Sequence, residues 1–365
     1  MKSFLRQLTI SSVSLAVLAQ GQNSPPTVAD ENIRPVELVP LKPEPLNRVS
    51  LSYSMGLNIT ADFTKFGGAA AFSNPGPLTG GTVNRTYDNG YNLVDITGND
   101  HGPGYQNTTW NWGYQNSGSL QGNQLVFSSS SAAAAASSKD NSNDPQSGVE
   151  LSYGRELFRK GNWRFGLEGG LGFTSISISD HRPMYATVST ITDRYTIPSG
   201  VTIPPAPHNG TFDGPGAVIG SEPSSRSTSV TARGATVDGS RLLDANVYSL
   251  RIGPYAAVPL NDRFKLLFNG GVYLAMGDSR FSYRETVTIP GVGSVHRESS
   301  GSETDYLIGG YVGGNVEYAL SKDLALFVGA QFLSAGRPVN HEQGKEAILN
   351  LNQSLIVSIG ASYSF

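Results

Sequence analysis

The chain has 365 residues, a formal net charge of −3 and no cysteine, which excludes disulfides, iron–sulfur clusters and thiolate zinc sites. A balance this near neutrality also excludes an electrostatic nucleic-acid binder, whose domains are strongly basic. Glycine (43), tyrosine (16) and phenylalanine (15) against 15% charged residues point to an all-β protein. Past the N-terminus no run of about 18 apolar residues could form a helical membrane span.

Residues 1–19 read as a secretory signal. Lys2 and Arg6 form a positive n-region, Leu8 to Leu18 are apolar or small, and Val17 and Ala19 stand at −3 and −1 of a cleavage before Gln20. Residues 20–47 hold Pro25, Pro26, Pro35, Pro40, Pro43 and Pro45, so they form an extended periplasmic linker within reach of peptidoglycan. Val49 to Ile59 is the first strand: Val49, Leu51, Tyr53, Met55, Leu57 and Ile59 alternate with small or polar residues. Alternation then stops over about 64–147, far beyond an ordinary connection. This stretch carries Tyr91, Trp110, Trp112 and Tyr114, which could stack on a sugar or fold back as a lid. It ends in a low-complexity run, Ser128 to Asn143, read as a flexible loop. Asp88, Asp95 and Asp100 offer hard oxygen donors, but their spacing fits no calcium loop, and Asp88-Asn89-Gly90 reads as a turn. No metal or cofactor is expected.

From Gly148 the alternation is regular. Val149, Leu151, Tyr153 and Leu157 precede a turn at Arg159 to Asn162, and Trp163, Phe165, Leu167, Leu171 and Phe173 follow it. A second irregular stretch, rich in Pro, Ser and Gly, covers about 181–240. Tyr248, Leu250, Ile252, Ala256 and Val258 lead to a turn at Asn261 to Arg263. Phe264, Leu266, Phe268, Val272, Leu274 and Met276 return, and the pairing continues outward around Pro290 to Gly293 and back from Val295. Tyr306, Ile308, Val312, Val316 and Tyr318 descend to Ser321-Lys322-Asp323. Leu324, Leu326, Val328, Ala330 and Phe332 ascend, with a modest loop at about Ala335 to Glu346. In the last stretch Leu351, Leu355, Val357, Ile359, Ala361, Tyr363 and Phe365 share one face and Asn352, Ser354, Ser358, Gly360, Ser362 and Ser364 the other.

A greasy and a polar face at period two, short turns alternating with long loops, and aromatics near both strand ends are the pattern of a transmembrane antiparallel up-and-down β-barrel. The count is eight strands. A hairpin drawn from Arg85 to Ser128 would make ten. The ending, with Ser358, Gly360, Tyr363 and the terminal Phe365, resembles the C-terminal signal by which bacterial outer-membrane barrels are recognised for assembly. With the signal segment and the strand–turn asymmetry, about two-thirds of the chain resembles the small eight-stranded outer-membrane barrel families. The resemblance implies a Gram-negative-type outer membrane, contact with its lipid and lipopolysaccharide, and handling by the barrel-assembly machinery.

An eight-stranded barrel is just wide enough to be filled by side chains. The inward set is Glu150, Glu156, Arg164, Glu168, Arg251, Lys265, Glu317, Tyr255, Tyr273, Tyr311 and Asn315, and buried charges need partners. The expected content is a plug of Glu–Arg and Glu–Lys pairs, with a narrow gated pore or apolar-solute transporter as the rival. A rim hydrolase would need a base beside its nucleophile. Asp180-His181 is the one rim pair of adjacent acid and base, and adjacent strand residues point to opposite faces, so no enzyme is expected. The functional expectation is a structural or surface-interaction protein acting in envelope integrity, adhesion or binding through its loops and protruding strands.

Overall fold

The computed structural model describes residues 46–80, 83–94, 107–141 and 145–365; the signal segment, nearly all of the linker, Asp95, Asp100 and His101 lie outside them. Eight strands carry the architecture: β1 (Asn47–Leu57), β2 (Gln146–Lys160), β3 (Trp163–Asp180), β4 (Ser225–Pro259), β5 (Phe264–Ile289), β6 (Gly293–Ala319), β7 (Leu324–Ser334) and β8 (Asn352–Ser364). All pairings are antiparallel. They run β1–β2–β3–β4–β5–β6–β7–β8 and return from β8 to β1, so the succession of hydrogen-bonded neighbours is a ring. Asn47, read as the last linker residue, already belongs to β1: its N–H donates to the Phe365 carbonyl at 3.1 Å, and the Phe365 N–H donates back at 2.9 Å.

Glycine sits where strands crowd. At Gly360 a Cβ would run into the Leu51 carbonyl oxygen and stand 2.7 Å from the Phe327 ring, so the terminal strand tolerates no side chain there.

The alternation does more than form strands. On β4, β5 and β6 the apolar residues are even-numbered up to Tyr248, Met276 and Tyr306, which share one register row, and face outward: Leu250, Ile252, Phe268, Val272, Leu274, Ile308 and Val312 are all exposed. Beyond that row, on β4 from Val247 back to Val237 and on β5 from Phe281 to Ile289, the buried apolar residues are odd-numbered, as with Leu243, Val247, Phe281, Tyr283, Val287 and Ile289. On β3 the change falls in the same row, between exposed Leu171 and buried Ile176 and Ile178, with Phe173 opposite Tyr248. Period two is unbroken, while the greasy face moves from outside the ring to inside.

Above this row β3, β4, β5 and β6 continue without the other ring strands. A four-stranded sheet of Ala136–Asn141, Thr60–Phe66, Lys345–Asn350 and Val339–Glu342 stands across from them. Phe63, Phe66, Ile176, Ile178, Phe281, Leu349 and Leu351 pack between. Phe281 lies 6.0 Å from Phe63 and 6.3 Å from Phe66 by ring centroids. Leu351 was expected on the outer face of the last strand. Gln353, at φ 61°, interrupts the register and turns Leu351 into this core.

Two further expectations are corrected. The Ser128 to Asn143 run is not a loop over its described residues: Gln124–Ala132 pairs with Met184–Thr196, and Ala136–Asn141 with Thr60–Phe66. Residues 181–240 are not irregular throughout either, since Met184–Thr196 pairs along the outer end of β4. Ala132, Ala136 and Ala186 stand where larger apolar residues would be expected because Phe63 and Phe66 fill the same core. Arg85–Tyr87 and Gly90–Asn92, from which a ninth and tenth strand would be drawn, pair with Trp112–Tyr114 and His208–Asn209 in a small separate sheet.

Candidate functional site

Three surfaces of this molecule can do chemistry: the inside of the ring, its greasy outer belt and the outermost sheet cluster.

Inside the ring, at belt level, the polar parity of the strands turns charges toward each other. Arg251 grips Glu150 with two hydrogen bonds of 2.7 and 2.6 Å and reaches Glu168 at 2.6 Å. Arg48 binds Glu168 and Glu317 together. Lys265 meets Glu317 at 2.6 Å, and Asn269 donates to Glu168 at 3.1 Å. Three carboxylates and three cations thus join in one formally neutral network, buried at Arg48, Glu168, Arg251 and Glu317 and half-buried at Glu150 and Lys265. Arg251 also lies 5.3 Å from the centre of the Tyr311 ring, and Arg48 5.4 Å from that of Tyr255.

Of the residues singled out from sequence, Glu150, Glu168, Arg251, Lys265, Glu317, Tyr311 and Tyr255 come together here. Arg164 stands apart, 3.9 Å from Glu156, which Arg159 also binds. Tyr273 and Asn315 border the network: Tyr273 lines a small cavity with Glu150 and Arg251, and Asn315 lines another with Arg48, Glu168 and Glu317. The sequence reading missed Arg48, the link between two of the glutamates, because the proline-rich stretch before it reads as linker. The signal was present: Arg48 stands two and four residues before Ser50 and Ser52 on the same inward face.

A cavity of about 60 Å³, room for roughly two waters, separates this network from the apolar core. Its floor includes Glu150, Arg251 and Tyr273, and its roof Ile59, Ile176, Val247, Leu333 and Leu351.

The outer belt carries Leu51 and Leu171, each 62% exposed, with Ile308 at 75% and Tyr306 at 82%. So continuous an apolar surface marks contact with lipid or protein. Its ends carry aromatics. Near the short turns Phe158 stacks on Phe165, Phe264 packs on Tyr318, and Tyr363 stacks on Phe365. At the other end Phe173 packs on Tyr248. From Phe264 to Met276 the strand runs about 40 Å, or about 30 Å of height at a tilt of about 40°. Ser358 and Gly360 face the interior of the same terminal strand whose Tyr363 and Phe365 lie in the lower girdle.

At the outermost cluster Trp112 and Tyr114 are fully buried, which removes them from any exposed stacking surface. Their polar atoms hold the 197–220 segment: the Trp112 indole donates to the Ala217 carbonyl at 2.8 Å and the Tyr114 hydroxyl to that of Pro204 at 2.6 Å. Trp110 and Tyr91, half-buried, donate to Phe212 and Gly210 in the same segment. Below them Asp193 takes two 2.7 Å hydrogen bonds from Arg226 and one of 2.6 Å from Tyr87, whose hydroxyl lies 2.9 Å from that of Tyr195. Burial pushes the Tyr195 phenol up to about 12 and that of Tyr87 higher still, with Tyr195 and Asp193 adding to the effect on Tyr87.

Among the described residues no rim histidine forms a dyad with Asp180. Its carboxylate faces inward and is held by Arg182 at 2.8 Å, while His181 is exposed. Burial alone would raise the Asp180 carboxyl, and the hydrogen bonds from the Arg182 side chain and backbone N–H, with the Arg241 charge, outweigh it and keep the group well below its ordinary range. His208 packs 4.5 Å from the Trp112 ring, and burial lowers its imidazole. Asp88 accepts from Ser73 at 2.8 Å, and among the described residues no group of three acidic or histidine side chains is placed to hold a metal.

A ring with a charged interior and a lipid-facing belt closed by aromatic girdles defines an outer-membrane β-barrel protein of the Gram-negative type. No protein-family model matches the chain, and no curated protein does. Among solved structures it is similar to the attachment invasion locus protein Ail of Yersinia pestis, at 11% identity and TM-score 0.30, covering 88% of this chain and 99% of that one. It is also similar to the outer membrane protease OmpT of Escherichia coli, at 10% identity and TM-score 0.31, covering 90% and 99%. A third is the Pseudomonas putida toluene transporter TodX, at 10% identity and TM-score 0.19, covering 88% and 90%. At these scores the likenesses carry no argument about activity.

Proposed function

We propose that the ring is a closed eight-stranded membrane barrel, sealed inside, whose work is done by the structure it raises above the outer leaflet, as a surface-interaction protein. The observation that carries this reading is the double filling of the interior: the network of Arg48, Glu150, Glu168, Arg251, Lys265 and Glu317 at belt level, and the phenylalanine core above it. An ion crossing the barrel would have to part buried ion pairs and then enter a dry apolar layer, and neither layer offers it replacement hydration.

The rival is a narrow channel. It draws on the 60 Å³ cavity and on the Oδ1 atoms of Asn269 and Asn315, which are buried and accept no hydrogen bond. Planar-bilayer recording separates the two. The sealed barrel gives no unitary steps, and Glu168→Ala gives none either because the apolar layer remains. Discrete openings in the wild type, or openings that grow in a folded Glu168→Ala protein, would overturn the sealed reading. A rim hydrolase has less support, since Arg182 occupies the Asp180 carboxylate beside the exposed His181.

A further inference from the structure

The two ends of the ring interior are built differently. Toward the long loops the phenylalanine core caps it. Toward the short turns, the periplasmic side of such a barrel, it opens into a vestibule. This cavity of about 180 Å³ lies between the turns Asn261 to Arg263 and Ser321 to Asp323 and the end of β8. Above it the space shrinks to about 10 Å³ beside Arg48, Glu168 and Glu317, so the vestibule narrows to a dead end at the network.

The network's charges are ordered along this axis. They form an alternating chain from Glu150 through Arg251, Glu168, Arg48 and Glu317 to Lys265. The chain is neutral as a whole, but a carboxylate ends it at the inner cavity and an ammonium ends it in the vestibule. A second group adds to the positive end. Glu156 binds Arg159 and also stands 3.9 Å from Arg164, which lines the vestibule, so one carboxylate serves two cations. Arg164 and Lys265 are only half-buried, and Ser362 and Ser364 line the same cavity. Cationic donors that are pre-placed and still reachable by water suit an anion. The rim is mixed. On the two turns Asp262 and Asp323 stand next to Arg263 and Lys322, and among the described residues no ion pair holds either aspartate. Ala319, Leu324 and Ala325 add a short apolar wall.

We propose that the vestibule is a binding site, open to the periplasm, for the end of a short peptide with a free carboxylate and a free amine. The carboxylate accepts from Arg164 and Lys265, an alanine-sized side chain rests on Ala319 and Ala325, and the ammonium turns back to Asp262 and Asp323. The volume holds about six waters, which one carboxylate and a small residue displace. An inorganic anion would engage the deep cations alone, so the apolar wall and the rim aspartates favour the peptide. The site lies at the opposite end of the ring from the raised outer structure, and it stands or falls independently of the surface-interaction reading.

The experiment titrates the full-length protein in detergent with the dipeptide alanyl-alanine, read by calorimetry. Saturable binding is expected. Arg164→Gln should weaken it about tenfold, the size of one charge-assisted hydrogen bond, with the heat-dependent gel mobility of the barrel unchanged. Amidating the peptide's carboxylate should weaken binding by a similar factor in the wild type and by much less in Arg164→Gln. Acetylating its amine should cost about threefold, the size of an exposed ion pair, and Asp262→Asn/Asp323→Asn should remove that difference. Side chains that only held the fold would not move these paired readouts. The L,L and D,D dipeptides are compared: binding of either supports the site, and preference for the D,D form assigns the ligand to the cell wall, for the L,L form to a fragment of ordinary polypeptide. No saturable binding, binding indifferent to Arg164→Gln or to amidation, or inorganic phosphate binding as tightly as either dipeptide overturns the proposal.

Discussion

The interior of this ring has two levels built by the same strands, and they are solvated in opposite senses. At belt level Arg48, Glu168 and Arg251 face inward and leucines face out. Above the row of Tyr248, Met276 and Tyr306, Phe281 and Ile178 face inward, while Arg280 and Arg284 face out. A strand cannot know which of its faces is the inside. It carries two alternating sets, and the surrounding medium decides which set is hidden. In lipid the apolar set belongs outside and in water it belongs inside, so the exchange of parity along β3 to β6 is where we propose that the membrane surface crosses the protein.

The largest test of this contrast is Glu168→Ala. It strips one carboxylate from two buried arginines while leaving the dry level untouched, and breaking a buried pair costs about 3–5 kcal/mol. The temperature at which the folded gel band converts to the unfolded one should fall accordingly. An unchanged temperature would mean that the network is hydrated enough to dispense with its central acid. A paired substitution sharpens the placement of the surface. Val272→Arg, outward and within the belt, should cost about 2–4 kcal/mol in a refolding titration from urea into lipid vesicles. Thr286→Arg, equally outward but beyond the row, should stay within about 0.5 kcal/mol. Equal costs would erase the proposed boundary.

The smallest effect lies at the outermost cluster. Tyr195, held up to about 12 by burial, and Tyr87, held higher, bind their protons more tightly folded than unfolded. Their contribution to stability is therefore complete below about pH 10, the ordinary phenol value, and is lost as pH rises through about 12. A phenolate absorbance titration should show a late step coupled to loosening of the cluster. One step near pH 10 for every tyrosine would contradict the buried arrangement.

The belt was readable from sequence because lipid imposes a strict alternation on Leu167, Leu171, Leu250, Leu274 and Val316. The turns at Gly161, Asp262 and Lys322 were readable from their composition. The outer level was not. Its strands hide behind small residues: Ala132, Ala136 and Ala186 share a core with Phe63 and Phe66 from elsewhere in the chain, which supply the bulk, and serines there bond to other hydroxyls, Ser129 to Ser73 and Ser130 to Thr190. Leu351 was placed on the wrong face because a single residue out of register, Gln353, shifts the parity. Among the interior charges the pattern identified Glu168 and Arg251, whose strands alternate cleanly, and lost Arg48, whose strand emerges directly from prolines.

The pairing of β1 with β8, from Arg48–Ser364 to Leu57–Leu355, bears on how the protein is made. The first strand synthesised must wait for the last, and Arg48 finds Glu317 only after 269 residues of separation. Contacts of such range slow folding, since the chain must be gathered before any of them forms. Until the two meet, both bordering staves offer open hydrogen-bonding edges. Removing Tyr363 to Phe365 would leave Asn47, Arg48 and Val49 without partners on that side, at the end of β1 where Arg48 enters the charged interior, while the rest of the β1–β8 ladder stays paired.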